Sequence, residues 1–388
     1  MPTERWETRL IHSEARVPAG FRSLATPVHR GSTTLFERAA DAHEDWNHER
    51  HAYTYGLFGT PTTLELAARL AELEHGSHTF LTPGGQGAIS LIWLALAKAG
   101  DHVLVSDSVY GPNRALATKV LTRLGVNPEF YPPTIGADIA GLIRPETTLV
   151  WCESPGSVTF EVQDVPAIAA AAHARGAVVA LDNTWSAGVF FDAFAHGADV
   201  TMQALTKYVG GHSDLLLGSV TVRDEALYER IGSTLQFLGM AVSPDDCSLA
   251  LRGMQTLAVR LRALEASTLR VARWLAERPE VERVLHPALP SCPGHELWLR
   301  DFTGSTSVFS IVFAERYAAE KILAFVDALE LFEIGYSWGG VTSLAVPQFS
   351  IRRSTPAFRR NSIVRLNIGL EATEDLIADL EQAMRALG

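Results

Sequence analysis

The run Gln203-Ala204-Leu205-Thr206-Lys207-Tyr208-Val209-Gly210-Gly211-His212-Ser213-Asp214 decides how this chain is read. One lysine stands between a hydroxyl and an aromatic ring, after an apolar stretch predicted as a strand (Val200 to Leu205) and before a glycine-rich turn. A lysine so placed is expected in a pocket rather than in water. There, partial desolvation and neighbouring cations lower the amine's pKa and free its lone pair for a Schiff base. Upstream, a second apolar stretch, Ala177-Val178-Val179-Ala180-Leu181, ends in Asp182-Asn183-Thr184-Trp185. A strand-end lysine and a strand-end carboxylate are what pyridoxal 5′-phosphate (PLP) needs: an amine for the aldehyde and an anion for the pyridinium nitrogen. Taken singly, Lys207 would more often be a solvated lysine and Asp182 a helix cap.

Composition excludes more than it selects. At 388 residues the chain exceeds one ordinary core, so two domains or one large α/β domain with an appendage are expected. A net charge of −11 argues against nucleic acid or an anionic membrane as partner. Cys152, Cys247 and Cys292 show neither pairing nor metal-type spacing, which fits a reducing cytoplasm. The opening Met1-Pro2-Thr3-Glu4-Arg5-Trp6-Glu7 does not read as a secretory signal, and the apolar stretch from Ala88 to Ala97 is too short to span a bilayer.

Residues 1–59 lack periodicity and read as an extended arm that packs on something else. Residues 60–247 read as an α/β domain. Its first helix is predicted with a capping box of Thr62 and Glu65, an apolar stripe of Leu66, Leu70 and Leu73, and a stop at Gly76. Strands and helices then alternate, and short, doubly apolar strands predict a mostly parallel sheet with helices on both faces. Ligands of such sheets bind beyond the carboxyl ends of the strands. Gly84-Gly85, Asp107 to Tyr110, Glu153, Asp182 and Thr206-Lys207 all fall there. Residues 248–388 read as a smaller α+β domain. It has a long helix from Leu249 to about Glu277, strands at Ser307–Phe313 and Ile363–Ile368, and a closing helix carrying Leu376, Leu380, Met384 and Leu387.

Thr82-Pro83-Gly84-Gly85-Gln86-Gly87-Ala88 lies between a predicted strand and helix. Glycines let a backbone approach phosphate, and a helix N-terminus offers free N–H groups. The run matches neither a Walker loop nor the dinucleotide fingerprint, so it suits a phosphorylated coenzyme better than ATP or NAD. Tyr110, on a turn at a strand end, is placed to stack on a flat coenzyme and, with a lowered pKa, to move protons. Arg365 lies inside the apolar run Ile363-Val364-Arg365-Leu366-Asn367-Ile368 and needs a partner there, either a substrate carboxylate or an internal acid. His43, His48 and His51 lack a metal-binding spacing, and no metal is expected.

Together these motifs resemble the Cys/Met-metabolism family of PLP-dependent enzymes, the trans-sulfuration branch. The resemblance runs from Thr8-Arg9-Leu10-Ile11-His12 to Arg365-Leu366-Asn367-Ile368-Gly369-Leu370-Glu371. It implies PLP fold type I, the aspartate aminotransferase-like fold. It also implies Lys207 as the coenzyme's covalent anchor, Asp182 as the pyridinium partner and Tyr110 as the stacking ring. Gly85, Gln86 and Thr206 would hold the phosphate, and Arg365 the substrate carboxylate. Tyr55 matches an arm tyrosine that reaches the phosphate of a neighbouring subunit, which implies at least a homodimer, with a tetramer expected.

Within the family, Tyr336-Ser337-Trp338-Gly339-Gly340 resembles the β-lyase members, in which Tyr and Trp flank the serine of the substrate site, and Ala204 follows the same pattern. Leu57 stands where many members place a phosphate-binding Arg, and Val341-Thr342 replaces an aromatic-Glu pair. The activity implied is β-elimination from a small amino-acid substrate, a cysteine thioether. Cystathionine would give homocysteine, pyruvate and ammonia, a step toward methionine. A γ-acting relative is the second expectation, and a non-catalytic α/β binding protein a distant third.

Overall fold

Apolar runs such as Val103–Val105 and Val178–Leu181 set the central strands of this chain. The computed structural model describes residues 5–11, 23–349, 351, 353–354 and 362–388; His12, which closes the amino-terminal motif, lies outside them. Seven strands form the larger sheet: β1 (His78–Thr82), β2 (His102–Ser106), β3 (Asn127–Tyr131), β4 (Thr147–Glu153), β5 (Val178–Asp182), β6 (Val200–Ala204) and β7 (Gly218–Val222). Their spatial order is β1-β7-β6-β5-β4-β2-β3. From β3 across to β6 every pairing is parallel, while β7 runs antiparallel to both β6 and β1. The sheet is therefore mostly parallel.

Both faces are covered, as doubly apolar strands require. Helix Val165–His173 packs on one face, with Ile168, Ala169 and Ala172 against Val150, Val179 and Leu181. On the other face, helix Gly85–Leu96 buries Ile89, Ile92 and Trp93 over Val103, Val105 and Met202. The Trp93 and Trp151 rings stack there with centroids 5.2 Å apart.

A second, antiparallel sheet combines β8 (Val281–Leu285), β9 (Val308–Phe313), β10 (Leu344–Pro347) and β11 (Ile363–Asn367) in the order β10-β11-β9-β8. The closing helix Thr373–Met384 and the turn after it bury Leu376, Leu380, Met384 and Leu387 against this sheet, as their spacing predicts. Helix Pro244–Ala276 joins the two regions. Among the described residues no helix is long and apolar enough to cross a membrane.

The first helix departs from expectation at its cap. It spans Pro61–Leu73, and Thr60 rather than Thr62 is the N-cap, in a reciprocal box with Thr63. Pro61 explains the shift, because proline favours the first helical turn, where its missing N–H costs nothing. Glu65 is released to pair with Arg69 at 2.8 Å, and the stripe of Leu66, Leu70 and Leu73 is buried as expected.

The long helix carries one buried cation in its apolar stripe. Arg260 lies among Leu257, Leu261 and Leu264 and donates to the carbonyls of Tyr208 and Gly253, each at 2.7 Å, and to Thr256 Oγ1 at 3.0 Å. Burial lowers its pKa to about 10, so it stays charged at neutral pH. It thereby fixes the turn that follows Lys207. Replacing Arg260 by Met should strand the buried Tyr208 carbonyl, while Gly253 O keeps the Thr256 hydroxyl, and cost about 1–3 kcal/mol in urea unfolding, the scale of an unsatisfied buried polar group. An unchanged unfolding midpoint would count against this anchoring.

Candidate active site

The carboxyl ends of β4, β5 and β6 meet the start of helix Gly85–Leu96 around a cavity of about 410 Å³. Lys207 stands three residues beyond β6, in a turn closed by hydrogen bonds from the Lys207 N–H to Ala204 O and from the Gly211 N–H to Lys207 O. Its Nζ donates to Ser337 Oγ at 2.5 Å and lies 5.2 Å from the centre of the Trp338 ring. Burial, with the nearby Arg365 guanidinium, lowers the amine to about 8, and Asp182 opposes that shift. The lysine is still mostly protonated at neutral pH, but it gives up its proton far more readily than an ordinary lysine, in the direction its place in the sequence predicts.

Asp182 ends β5 in register with Glu153 at the end of β4. Burial pushes the Asp182 carboxyl up, while hydrogen bonds from Thr184, including its N–H at 3.0 Å, and the charge of Lys207 pull it down. Glu153 Oε2 accepts the Tyr110 N–H at 2.7 Å. Tyr110 lines the cavity, yet its predicted lowered pKa is not found. Burial first, then the charges of Glu153 and Asp182, raise the phenol above its ordinary value. The tyrosine keeps its proton first because of burial and then because its neighbours across the sheet edge are acids rather than bases.

The run Tyr336 to Gly340 reaches the cavity from the smaller sheet's side. Ser337 holds a left-handed backbone with φ of 77°, uncommon for a side chain of this kind. Its carbonyl accepts from Arg365 at 3.0 Å, and the Gly339 N–H donates to Asn367 Oδ1 at 2.9 Å. Trp338 packs against Tyr208, whereas Tyr336 is largely exposed at the rim. Among the described residues Arg365 forms no ion pair with a carboxylate. It faces both the cavity and an adjoining hollow of about 600 Å³ that shares Tyr110, Val158 and Tyr336 with it.

Lys207, Asp182, Tyr110, Gly85, Gln86, Thr206, Arg365, Tyr336, Ser337 and Trp338 therefore line one space, although the Thr206 hydroxyl already bonds the Leu217 backbone. Tyr55 does not join them. It pairs with Thr33 in the arm, packs near Phe58 and is 45% exposed. Leu57 lines a separate small apolar cavity with Trp46 and Phe58. His48 presents its two ring nitrogens to the carbonyls of Ala52 and Phe58, and His43 stacks on His51. Sequence reading gave no role to Glu153, to Thr184, whose hydroxyl holds the Ala204 N–H, or to Val158, a left-handed β-branched residue on the cavity wall. The strained Val158 has no sequence signature.

These residues fit PLP. Gly84 has φ of 111°, and the helix begins at Gly85, so the first N–H groups have no acceptor in a preceding turn. A Cβ on Gly85 would lie 2.7 Å from the Ala204 Cβ, so only glycine lets the helix start approach β6 this closely. That cradle suits a phosphate, Asp182 suits a pyridine nitrogen, and the readily deprotonated amine of Lys207 suits an aldehyde.

Comparison with known proteins agrees with this geometry. A family model described as Cys/Met metabolism PLP-dependent enzyme matches residues 7–385. A putative cystathionine beta-lyase of Rhizobium johnstonii is 46% identical over 98% of this chain and 96% of its own. The cystathionine beta-lyase of Escherichia coli K12 is 39% identical over 98% of each. The crystal structure of cystathionine gamma-lyase from Lactobacillus plantarum superposes with a TM-score of 0.90 at 27% identity, over 99% of each chain. The fold is the one that this resemblance implied, and the chain belongs to the Cys/Met-metabolism family of PLP-dependent enzymes.

Proposed function

We propose that this chain is a carbon–sulfur lyase that carries out β-elimination on cysteine thioethers, converting L-cystathionine to homocysteine, pyruvate and ammonia. The observation that carries this reading is the contact of Lys207 Nζ with Ser337 Oγ, which sets the Tyr336-Ser337-Trp338 run directly on the lysine. Aromatic walls on either side of that serine hold a thioether without a distal base for deprotonation at Cβ, a step that γ-elimination requires. The full-length relatives named as beta-lyases support the same reading.

PLP, when bound, supplies an electron sink for the pair released at Cα. The chain's own groups do the rest. Lys207, with its lowered pKa, takes the Cα proton. Asp182 keeps the pyridine nitrogen protonated. Arg365, half-buried and without an acid partner among the described residues, grips the substrate α-carboxylate in a fork no lysine reproduces. Tyr110 retains its proton and is the donor closest in kind to what a departing thiolate needs. Gly85, Gln86 and Thr206 hold the phosphate.

A γ-acting member is the second reading, favoured by the gamma-lyase likeness at TM-score 0.90. We also read the chain as a homo-oligomer, at least a dimer and expected as a tetramer, in which Tyr55 of one copy serves the site of another. Half-exposed Tyr55, away from its own cavity, supports this. Three buried, unpaired cysteines suit a reducing cytoplasm.

Product analysis separates the two chemistries. L-cystathionine should yield pyruvate and homocysteine, and mainly 2-oxobutyrate with cysteine would overturn the β-lyase reading. Lys207→Ala should lose turnover by several orders of magnitude while keeping its fold by circular dichroism, since one group both anchors and moves the proton. Wild-type turnover in that variant would end the assignment. Gly85→Ala should raise the coenzyme dissociation constant by at least about tenfold, because the new methyl drives the helix start away from β6. Fluorescence titration of PLP into coenzyme-free protein measures it, and unchanged affinity would place the phosphate elsewhere.

A further inference from the structure

Glu153 and Asp182 end adjacent parallel strands in direct register, so their side chains leave the same face of the sheet. Both are buried and both line the cavity. Neighbouring strands lie about 4.8 Å apart, and two carboxylates at that spacing in a desolvated site do not both ionise readily. The surroundings decide which one gives way. Asp182 receives the Thr184 N–H and faces Lys207. Among the described residues the Glu153 carboxyl receives one hydrogen bond, from the Tyr110 N–H. The cation on its side, Arg353, is already committed to Glu161 through two hydrogen bonds, and Thr159 donates to that same carboxylate.

We propose that Glu153 is a positioning residue of this site that works as a neutral carboxylic acid, fixing the turn that aims Tyr110 into the cavity and leaving Asp182 as the one anion there. The proposal rests on reading this cavity as the coenzyme site. Tyr110 immediately precedes helix Gly111–Leu116, so the bond from its N–H to Glu153 sets where that helix starts and where the ring projects. A charged Glu153 would compete with Asp182 for the coenzyme's positive nitrogen and hold it off centre. Burial first, then the Asp182 charge, pushes Glu153 well above its ordinary range, against the Tyr110 N–H and Arg353. The titratable and charged groups around it are Asp182, Tyr110, Lys207, Arg365 and Tyr336 on the cavity, and the Arg353–Glu161 pair behind.

The test compares coenzyme-loaded full-length wild type with Glu153→Gln, which copies the neutral acid in shape, by melting temperature between pH 5 and 8. Unfolded glutamate loses its proton near pH 4.3. If the folded protein holds that proton to higher pH, the wild type loses stability relative to the Gln variant as pH rises through this window. A difference that stays flat, or that moves in the wild type's favour, means that Glu153 is ionised and overturns the proposal. A Gln variant that fails to fold overturns it as well.

Activity gives an independent readout. Glu153→Asp keeps the acid but withdraws its oxygens by one methylene, and it should lower kcat by about 100-fold with KM little moved, the scale of an ångström-sized misplacement. Glu153→Gln should fall much less. If Gln is as impaired as Asp, the carboxylate charge rather than its position matters, and the proposal fails. These outcomes are distinct from failure of the coenzyme-site reading, which wild-type turnover by Lys207→Ala would reveal, because the melting comparison does not depend on which reaction is catalysed.

Discussion

An amine most of the way out of water must find a partner, and the rest of this structure is arranged around how Lys207 does so. Its acceptor, Ser337 Oγ, comes from a segment tied to the smaller sheet, 130 positions along the chain. A closed circuit of hydrogen bonds holds that acceptor in place. The Tyr208 hydroxyl, next to the lysine, bonds Ser307 Oγ at 3.0 Å, and Ser307 Oγ donates to Asn367 Oδ1 at 2.9 Å. The same Asn367 oxygen accepts the Gly339 N–H, two residues beyond Ser337. Lysine, sheet edge and loop therefore form one loop of contacts, and disturbing any member moves the lysine's partner.

Strain at Ser337 follows from this arrangement. A left-handed serine costs of order 1–3 kcal/mol and persists only where its surroundings over-determine it. Here Arg365 holds the Ser337 carbonyl while Asn367 holds the Gly339 N–H. Both residues sit on β11 two positions apart and so share one face of the strand, which holds the loop at two points. The arginine assigned to the substrate carboxylate is also the residue that shapes the lysine's neighbour. In the proposed mechanism, binding at Arg365 and proton transfer at Lys207 would be joined through Ser337, which both residues contact.

Much of this was legible in the sequence, because buried parallel strands are rich in apolar residues and end abruptly in chemistry. Val178 to Asp182 and Val200 to Ala204 declare both their burial and the residues at their tips, and so Asp182 and Lys207 could be named. What escaped depends on neighbours distant in sequence. The strand β7, Gly218-Ser219-Val220-Thr221-Val222, is short and alternates Ser and Thr with Val, so nothing local shows that it is buried throughout between β1 and β6. Glu153 reads as a strand end, but its pairing with Asp182 is a matter of register. Tyr110 was expected to lose its proton easily, and what prevents this is burial first and then two acids 43 and 72 positions away. Arg260 did leave a trace, as a cation within a leucine stripe.

Leu57 shows what an apolar residue costs at a place where charge is useful. It lines a cavity whose other walls include Trp46, Phe58 and Leu64, so an arginine there would have to leave that hollow or bury its guanidinium unpaired. In the proposed site, the negative charge of a bound phosphate would then fall mainly to backbone N–H groups at Gly85 and Gln86 and to the helix dipole, worth about 0.3–2 kcal/mol near a terminus. Such a site has little electrostatic reserve. Its hold on the phosphate depends on geometry, above all on the close approach of Gly85 to Ala204, which a single methyl group is enough to prevent.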